Sequence, residues 1–81
     1  MRVTVRLFAR LRDIAGASDL ARELPAEATA DSVWRLLADE HPELAAYRGA
    51  VSVAVNAEYA RMDARIADGD EIAFLPPVSG G

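Results

Sequence analysis

The sequence predicts an α+β domain in which one amphipathic helix covers one face of a mixed sheet. Two patterns carry that expectation: apolar and polar residues alternate near both ends of the chain, and a single helical repeat lies between them. A third observation bounds it. Eighty-one residues suffice for one hydrophobic core and are too few for two.

Residues 2–9, RVTVRLFA, set Val3, Val5 and Leu7 against Thr4 and Arg6 and read as a strand. RLRDIAG follows as a turn or helical stub that stops at Gly16. DLAREL, residues 19–24, is a weaker strand ended by Pro25, and the two strands pair as a hairpin-like unit. TADSVWRLLADEH is the main helix. Thr29 or Asp31 caps its start; Val33, Leu36, Leu37 and His41 recur on one face, with Trp34 at its edge; Pro42 ends it. PELAAYRG adds one further turn. AVSVAVN is a strand placing Val51, Val53 and Val55 together, and NAEYARM is a turn with a short strand. ADGDE makes a tight turn before the last strand, EIAFL, which sets Ile72 and Phe74 on one side. No repeat, low-complexity tract or internal linker interrupts this order.

One helix leaves the opposite sheet face open. If Val3, Val5 and Leu7 face the helix, Phe8 faces away; if Ile72 and Phe74 face it, Leu75 faces away, and Tyr59 after the Asn56 turn joins them. Large apolar residues gathered on a solvent face mark an interaction site. The plainer alternative is that Phe8 and Leu75 only cap the sheet edge.

Composition removes several functions. The net charge of −4 opposes non-specific binding to nucleic acid or to an anionic membrane. The apolar runs are too short to span a bilayer, and the N-terminus lacks a signal-peptide core, so the cytoplasm is the expected compartment. Without cysteine there is no disulfide framework, thiol nucleophile or cysteine-based zinc site, and no G-x-S-x-G, Walker or G-x-G-x-x-G motif occurs. No metal site is expected. His41, beside Pro42 at a helix end, reads as structural, a donor for free carbonyls. Asp39, Glu40 and Glu43 read as a solvated helix face, with arginines on a partner as the alternative, and DGDE, lacking calcium-loop spacing, as turn chemistry.

The end of the chain, FLPPVSGG, is the feature left over. Pro76 and Pro77 favour an extended course, and residues 77–81 at about 3.3 Å each reach roughly 16 Å. Gly80 and Gly81, without Cβ atoms, fit a slot that excludes other residues, whereas fraying or a cloning remnant is the simpler account. A terminal carboxylate becomes an acyl donor only once activated, for example as an adenylate, and then passes to an amine or accepts sulfur as a thiocarboxylate. Both routes need a separate enzyme, so the chain is the carried substrate. All nine basic residues are arginine, which GC-rich coding explains. Whatever the cause, an activated C-terminus meets no side-chain amine on its own chain.

FARLRDIAG near the start, VAVNAEY in the middle and DGDEIAFLPPVSGG at the end resemble the small, sulfur-carrying subunits of molybdopterin synthase, which are ubiquitin-like β-grasp proteins. The resemblance covers essentially the whole chain. It implies a β-grasp domain over residues 1–75 and a flexible Gly-Gly tail over 76–81. An E1-like enzyme using ATP would adenylate the Gly81 carboxylate, and a sulfur donor would convert it to the thiocarboxylate. The tail (Pro76, Pro77, Val78, Ser79 and Gly80) would thread into the large synthase subunit, in a heterotetramer of two small and two large chains. There Gly81 would deliver sulfur to cyclic pyranopterin monophosphate, forming the molybdopterin dithiolene. Phe8, Tyr59 and Leu75 match the family's apolar docking positions. The chain itself would bind no cofactor and catalyse nothing alone. Alternatives within the resemblance are sulfur delivery to thiazole or tRNA, or conjugation to a target protein through Gly81; a binding module with an idle tail is the plainest. The family often has glycine after the asparagine of the middle turn, where this chain has Ala57.

Overall fold

A computed structural model describes residues 1–77. The chain runs β1 (Arg2–Leu7), α1 (Ala9–Ala15), β2 (Asp19–Glu23), α2 (Ala30–Glu40), a 3₁₀ helix (Pro42–Tyr47), β3 (Ser52–Val55), β4 (Glu58–Ala60) and β5 (Glu71–Leu75). The five strands form one sheet in the order β2-β1-β5-β3-β4. Only β1 and β5 run parallel; the other pairings are antiparallel, so the sheet is mixed. The hairpin-like pairing of β1 with β2 is present, with Val5 opposite Leu20.

Alternation places Val3, Val5 and Leu7 of β1 and Ile72 and Phe74 of β5 on the inner face, each at most 1% exposed. Val33 and Leu37 of α2 close over them, joined by Leu11 and Leu44 from the short helices. Trp34 departs from the sequence expectation. It is buried at 1% exposure rather than lying at the helix edge, and its ring meets Phe74 edge-on at 5.0 Å between centroids. A narrow helical stripe misjudges this position because the 3₁₀ helix covers α2 from a second side, widening the face that must be apolar.

The start of α2 explains much of the loop structure. A helix leaves its first N–H groups without intrahelical partners. Here Ala30 and Asp31 donate to the carbonyls of Ala64 and Met62, Ser32 donates to the Thr29 hydroxyl, and Val33 to the Thr29 carbonyl. Thr29, not Asp31, is therefore the cap, and Ser32 completes a reciprocal capping box. At the other end His41 caps with its backbone N–H, donated to the Leu37 carbonyl, a role that does not use the imidazole.

Three local departures have backbone causes. The first strand stops at Leu7, not Ala9, because Phe8 becomes the cap of α1 and Ala9 turns to a φ of 52°. Val51 precedes β3, where its N–H donates to the Tyr47 carbonyl, and only Val53 of the three valines is fully buried. The β3–β4 turn keeps its tight form without glycine: Asn56 and Ala57 take φ values of 51° and 70°, both left-handed. Asn56 locks that turn to the DGDE loop. Its amide accepts from the Glu71 N–H and donates to Asp70, whose carboxylate also accepts from the Ala67 N–H. Asp68 accepts from the Arg2 N–H. The Asp68 and Asp70 carboxylates thus serve the turn, as the sequence reading holds.

Candidate docking face and C-terminal exit

The face of the sheet opposite α2 presents Thr4, Arg6, Ala21, Ser52, Ala54, Tyr59, Glu71, Ala73 and Leu75. Register fixes how these side chains sit. Arg6 pairs with Ala73, Ala73 with Ala54, and Ala54 with Tyr59, so one row crosses four strands on the same side. Phe8 retains extended dihedrals, and the Leu7–Phe74 pairing places it beside the register position of Leu75. The two alanines form a low floor between Tyr59 on one flank and Arg6 on the other, with Phe8 and Leu75 at the next position toward the rim. At about 4.8 Å per strand, Tyr59 stands roughly 10 Å across the sheet from β5.

Phe8 is 39% exposed and Tyr59 80% exposed, the large hydrophobic side chains most open to solvent among the described residues. Leu75 is half-buried. All three predicted docking residues therefore share one face, with Tyr59 set apart from the other two. The floor between them gives the face its shape. Sequence parity already put Arg6 there without assigning it a role. Its guanidinium lies 5.8 Å from the centre of the Phe8 ring and pairs with Asp19 at 3.1 Å and Glu71 at 3.5 Å. Arg6 thus puts a cation at the margin of the apolar floor.

Other candidate residues lie away from this face. Glu40 and Arg22 form a bidentate ion pair, with contacts of 2.6 and 2.9 Å, which ties the end of α2 to edge strand β2. The hydrogen bonds from Arg22 hold the Glu40 carboxyl below its ordinary range, outweighing the opposing effect of burial, and in return raise Arg22. Glu43 pairs with Arg10 at 3.7 Å, so the expected solvated acidic face carries two ion pairs. On the helical side, a cavity of about 480 Å³ is lined by Trp34, Ala38, Ala45 and an ion-paired trio in which Asp31 bridges Arg35 and Arg48. Among the described residues no group of three or more acidic or histidine side chains is placed to hold a metal ion. None of the described helices is long and apolar enough to cross a membrane.

The chain leaves the sheet at Leu75, followed by half-buried Pro76 and exposed Pro77. Val78, Ser79, Gly80 and Gly81, the rest of the predicted tail, lie outside the described residues.

A five-stranded mixed sheet with a parallel central pair, a main helix on one face and an open opposite face defines the ubiquitin-like β-grasp class. An archaeal ubiquitin from Caldiarchaeum subterraneum superposes over the whole chain with a TM-score of 0.64 at 16% identity, a likeness of fold alone. Residues 5–81 match the ThiS family, and the chain belongs to that family. The molybdopterin synthase sulfur carrier subunit of Arabidopsis thaliana is 37% identical over 98% of this chain and 82% of its own length. The crystal structure of SAMP1 from Haloferax volcanii covers both chains fully with a TM-score of 0.85 at 30% identity. A complex of subunits 1 and 2 of the molybdopterin-converting factor from Helicobacter pylori contains a chain that matches end to end, with a TM-score of 0.68 at 26% identity.

Proposed function

We propose that this chain is the sulfur carrier subunit of a molybdopterin synthase, with Gly81 as the carrying residue and Phe8, Tyr59 and Leu75 docking it on the large subunit. The observation that carries this reading is the likeness to named sulfur carrier subunits over 98% of the chain. The subunit complex from Helicobacter pylori supports a large-subunit partner. In this reading residues 1–75 are the docking domain and 76–81 the delivery tail. An E1-like enzyme joins the Gly81 carboxylate to the α-phosphate of ATP, releasing pyrophosphate. Sulfide-level sulfur from a donor then displaces AMP, and the thiocarboxylate passes that sulfur to the pterin precursor in the large subunit while water restores the Gly81 carboxylate. The apolar floor contributes affinity by excluding water, with Tyr59 and Phe8 as aromatic anchors.

The test uses the absence of cysteine. The protein is incubated with ATP, an activating enzyme and a sulfur source, then treated with a thiol-alkylating reagent and mapped by mass spectrometry. A label at Gly81 is expected. An unlabelled chain whose Gly81 is instead amide-linked to other proteins overturns the sulfur reading in favour of a protein modifier, the second reading that the likeness to SAMP1, the small archaeal modifier protein 1 of Haloferax volcanii, favours.

A further inference from the structure

We propose that the groove between α2 and the 3₁₀ helix is a second docking site, one that takes an acidic peptide segment of a partner protein. Arg35 and Arg48 hold a carboxylate of that segment, and a neighbouring apolar side chain rests against Trp34, Ala38 and Ala45. The proposal goes beyond sulfur carriage and does not depend on whether Gly81 is activated.

Helical spacing builds one wall of the groove. Asp31, Trp34, Arg35 and Ala38 recur at i, i+3, i+4 and i+7, a stripe of α2 turned away from Val33 and Leu37, which meet the sheet. Ala45 of the 3₁₀ helix and Arg48 just after it form the other wall, across a cavity of about 480 Å³ that opens to solvent. A closed pocket surrounds a small ligand on most sides, whereas an open groove suits a chain segment that continues beyond it. The sheet face carrying Phe8, Tyr59 and Leu75 lies on the opposite side of the molecule, so both sites can be occupied together.

The Asp31 carboxylate sets the charge of the groove. Its Oδ1 accepts from Arg48 Nε at 2.7 Å, and its Oδ2 lies 3.0 Å from Arg35 Nε. Each guanidinium thus commits its Nε to one oxygen of a shared carboxylate, while its terminal nitrogens have no hydrogen-bond or ion-pair partner among the described residues. Two cations against one anion leave the groove positive on a chain whose net charge is −4. A second carboxylate offsets that charge and accepts from the unused forks. Trp34 adds an independent observation. Its side chain is 1% exposed, yet its indole Nε1–H has no hydrogen-bond partner. Buried donors are rarely left in that state. A peptide brings backbone carbonyls as well as its carboxylate, and one of them meets this donor as the wall adjusts around the segment; a free small acid brings the carboxylate alone.

The experiment titrates the full, isotope-labelled chain by NMR with two pools of end-blocked hexapeptides, identical except for Glu or Gln at one central position flanked by aromatic and aliphatic residues. With the Glu pool, the Trp34 indole N–H and the Ala38 and Ala45 amides are expected to shift and saturate, and the Gln pool to bind about tenfold more weakly. Arg35→Gln and Arg48→Gln should each lose about tenfold in affinity, while Arg12→Gln, on α1 outside the groove, should lose none. Arg35 is 79% exposed, so its variant keeps the core intact and decides the matter even if Arg48→Gln unfolds; urea titration of Trp34 emission checks both. The proposal is overturned if these resonances stay still, if the two pools bind equally, or if folded Arg35→Gln binds as the wild type does. Isovalerate reproducing every shift would assign the groove to a small acid and overturn the peptide occupant. Shifts that grow with protein concentration in the absence of peptide would overturn it in favour of a second copy of the chain.

Discussion

Ala57→Gly is expected to stabilise the protein, and the backbone gives the size of the effect. Ala57 is the second residue of the two-residue β3–β4 turn and sits at a φ of 70°, next to Asn56 at 51°. An L-residue with a Cβ incurs about 1–2 kcal/mol in the left-handed region, a cost that glycine escapes. Against this, glycine loosens the unfolded chain and loses about 0.4–1 kcal/mol. The net gain is about 1 kcal/mol, and for a domain of this length that raises Tm by about 4–8 °C. The single tryptophan, Trp34, is 1% exposed, so its fluorescence reports global unfolding in urea. The midpoint is expected to rise with an unchanged slope. Gly69→Ala is the control with opposite sign: its φ is 87° and nothing lies within 4 Å of the added Cβ, so only the conformational cost of about 1 kcal/mol is felt. An unchanged or lower midpoint for Ala57→Gly refutes the left-handed turn.

Three further outcomes separate docking, packing and charge. Tyr59→Ala removes a side chain that is 80% exposed, so stability should change by less than about 0.5 kcal/mol, while calorimetric affinity for a large synthase subunit falls about 30-fold; unchanged affinity removes Tyr59 from the docking face. Leu37→Ala, at a fully buried position of α2, should cost about 2–5 kcal/mol by urea titration, and a loss below 1 kcal/mol would place Leu37 outside the core. The Arg22–Glu40 pair sets a pH dependence. Because the folded Glu40 pKa lies below its ordinary value of 4.5, its contribution is fully present above that value and is lost as pH falls through the folded pKa. The pair is partly exposed, so the gap between wild type and Glu40→Gln should be at most about 1 kcal/mol near neutrality and should close in acid. A gap that persists in acid would point to packing in place of charge.

What the sequence disclosed was periodic, and what it concealed was tertiary. Strand parity in Val3, Val5 and Leu7 and in Ile72 and Phe74 is a local property, so it identified the inner face and, by subtraction, Phe8 and Leu75 on the outer one. Trp34 was misplaced because its second cover comes from a 3₁₀ helix eight residues further on. Met62 was read with a short strand and residues 63–66 were left unassigned, yet the carbonyls of Met62 and Ala64 satisfy the first N–H groups of α2, a pairing visible only once the chain returns across the helix start. The low floor of Ala54 and Ala73 was hidden for a related reason. Two alanines on separate strands carry no signal until register sets them side by side. The DGDE and Asn56 segments each read as turns, but their mutual hydrogen bonds explain why both motifs occur together.

The parallel pairing of β1 with β5 places the candidate docking face beside the exit of the chain. Parallel neighbours end at the same rim of a sheet, so β1 delivers Phe8 and β5 delivers Leu75 to one place, and the chain exits through Pro76 immediately beyond. An antiparallel central pair would send the exit to the opposite rim, a strand length of about 17 Å away. A partner that buries Phe8 and Leu75 therefore meets the chain where it leaves the sheet, and the two prolines restrict its course from there. In the proposed reading, binding energy gathered on this face is converted into positioning of the segment that follows. Phe8→Ala should accordingly weaken docking and also slow sulfur transfer at saturating partner. Weaker docking with an unchanged saturated rate, measured in single-turnover assays, would show that the face supplies affinity alone.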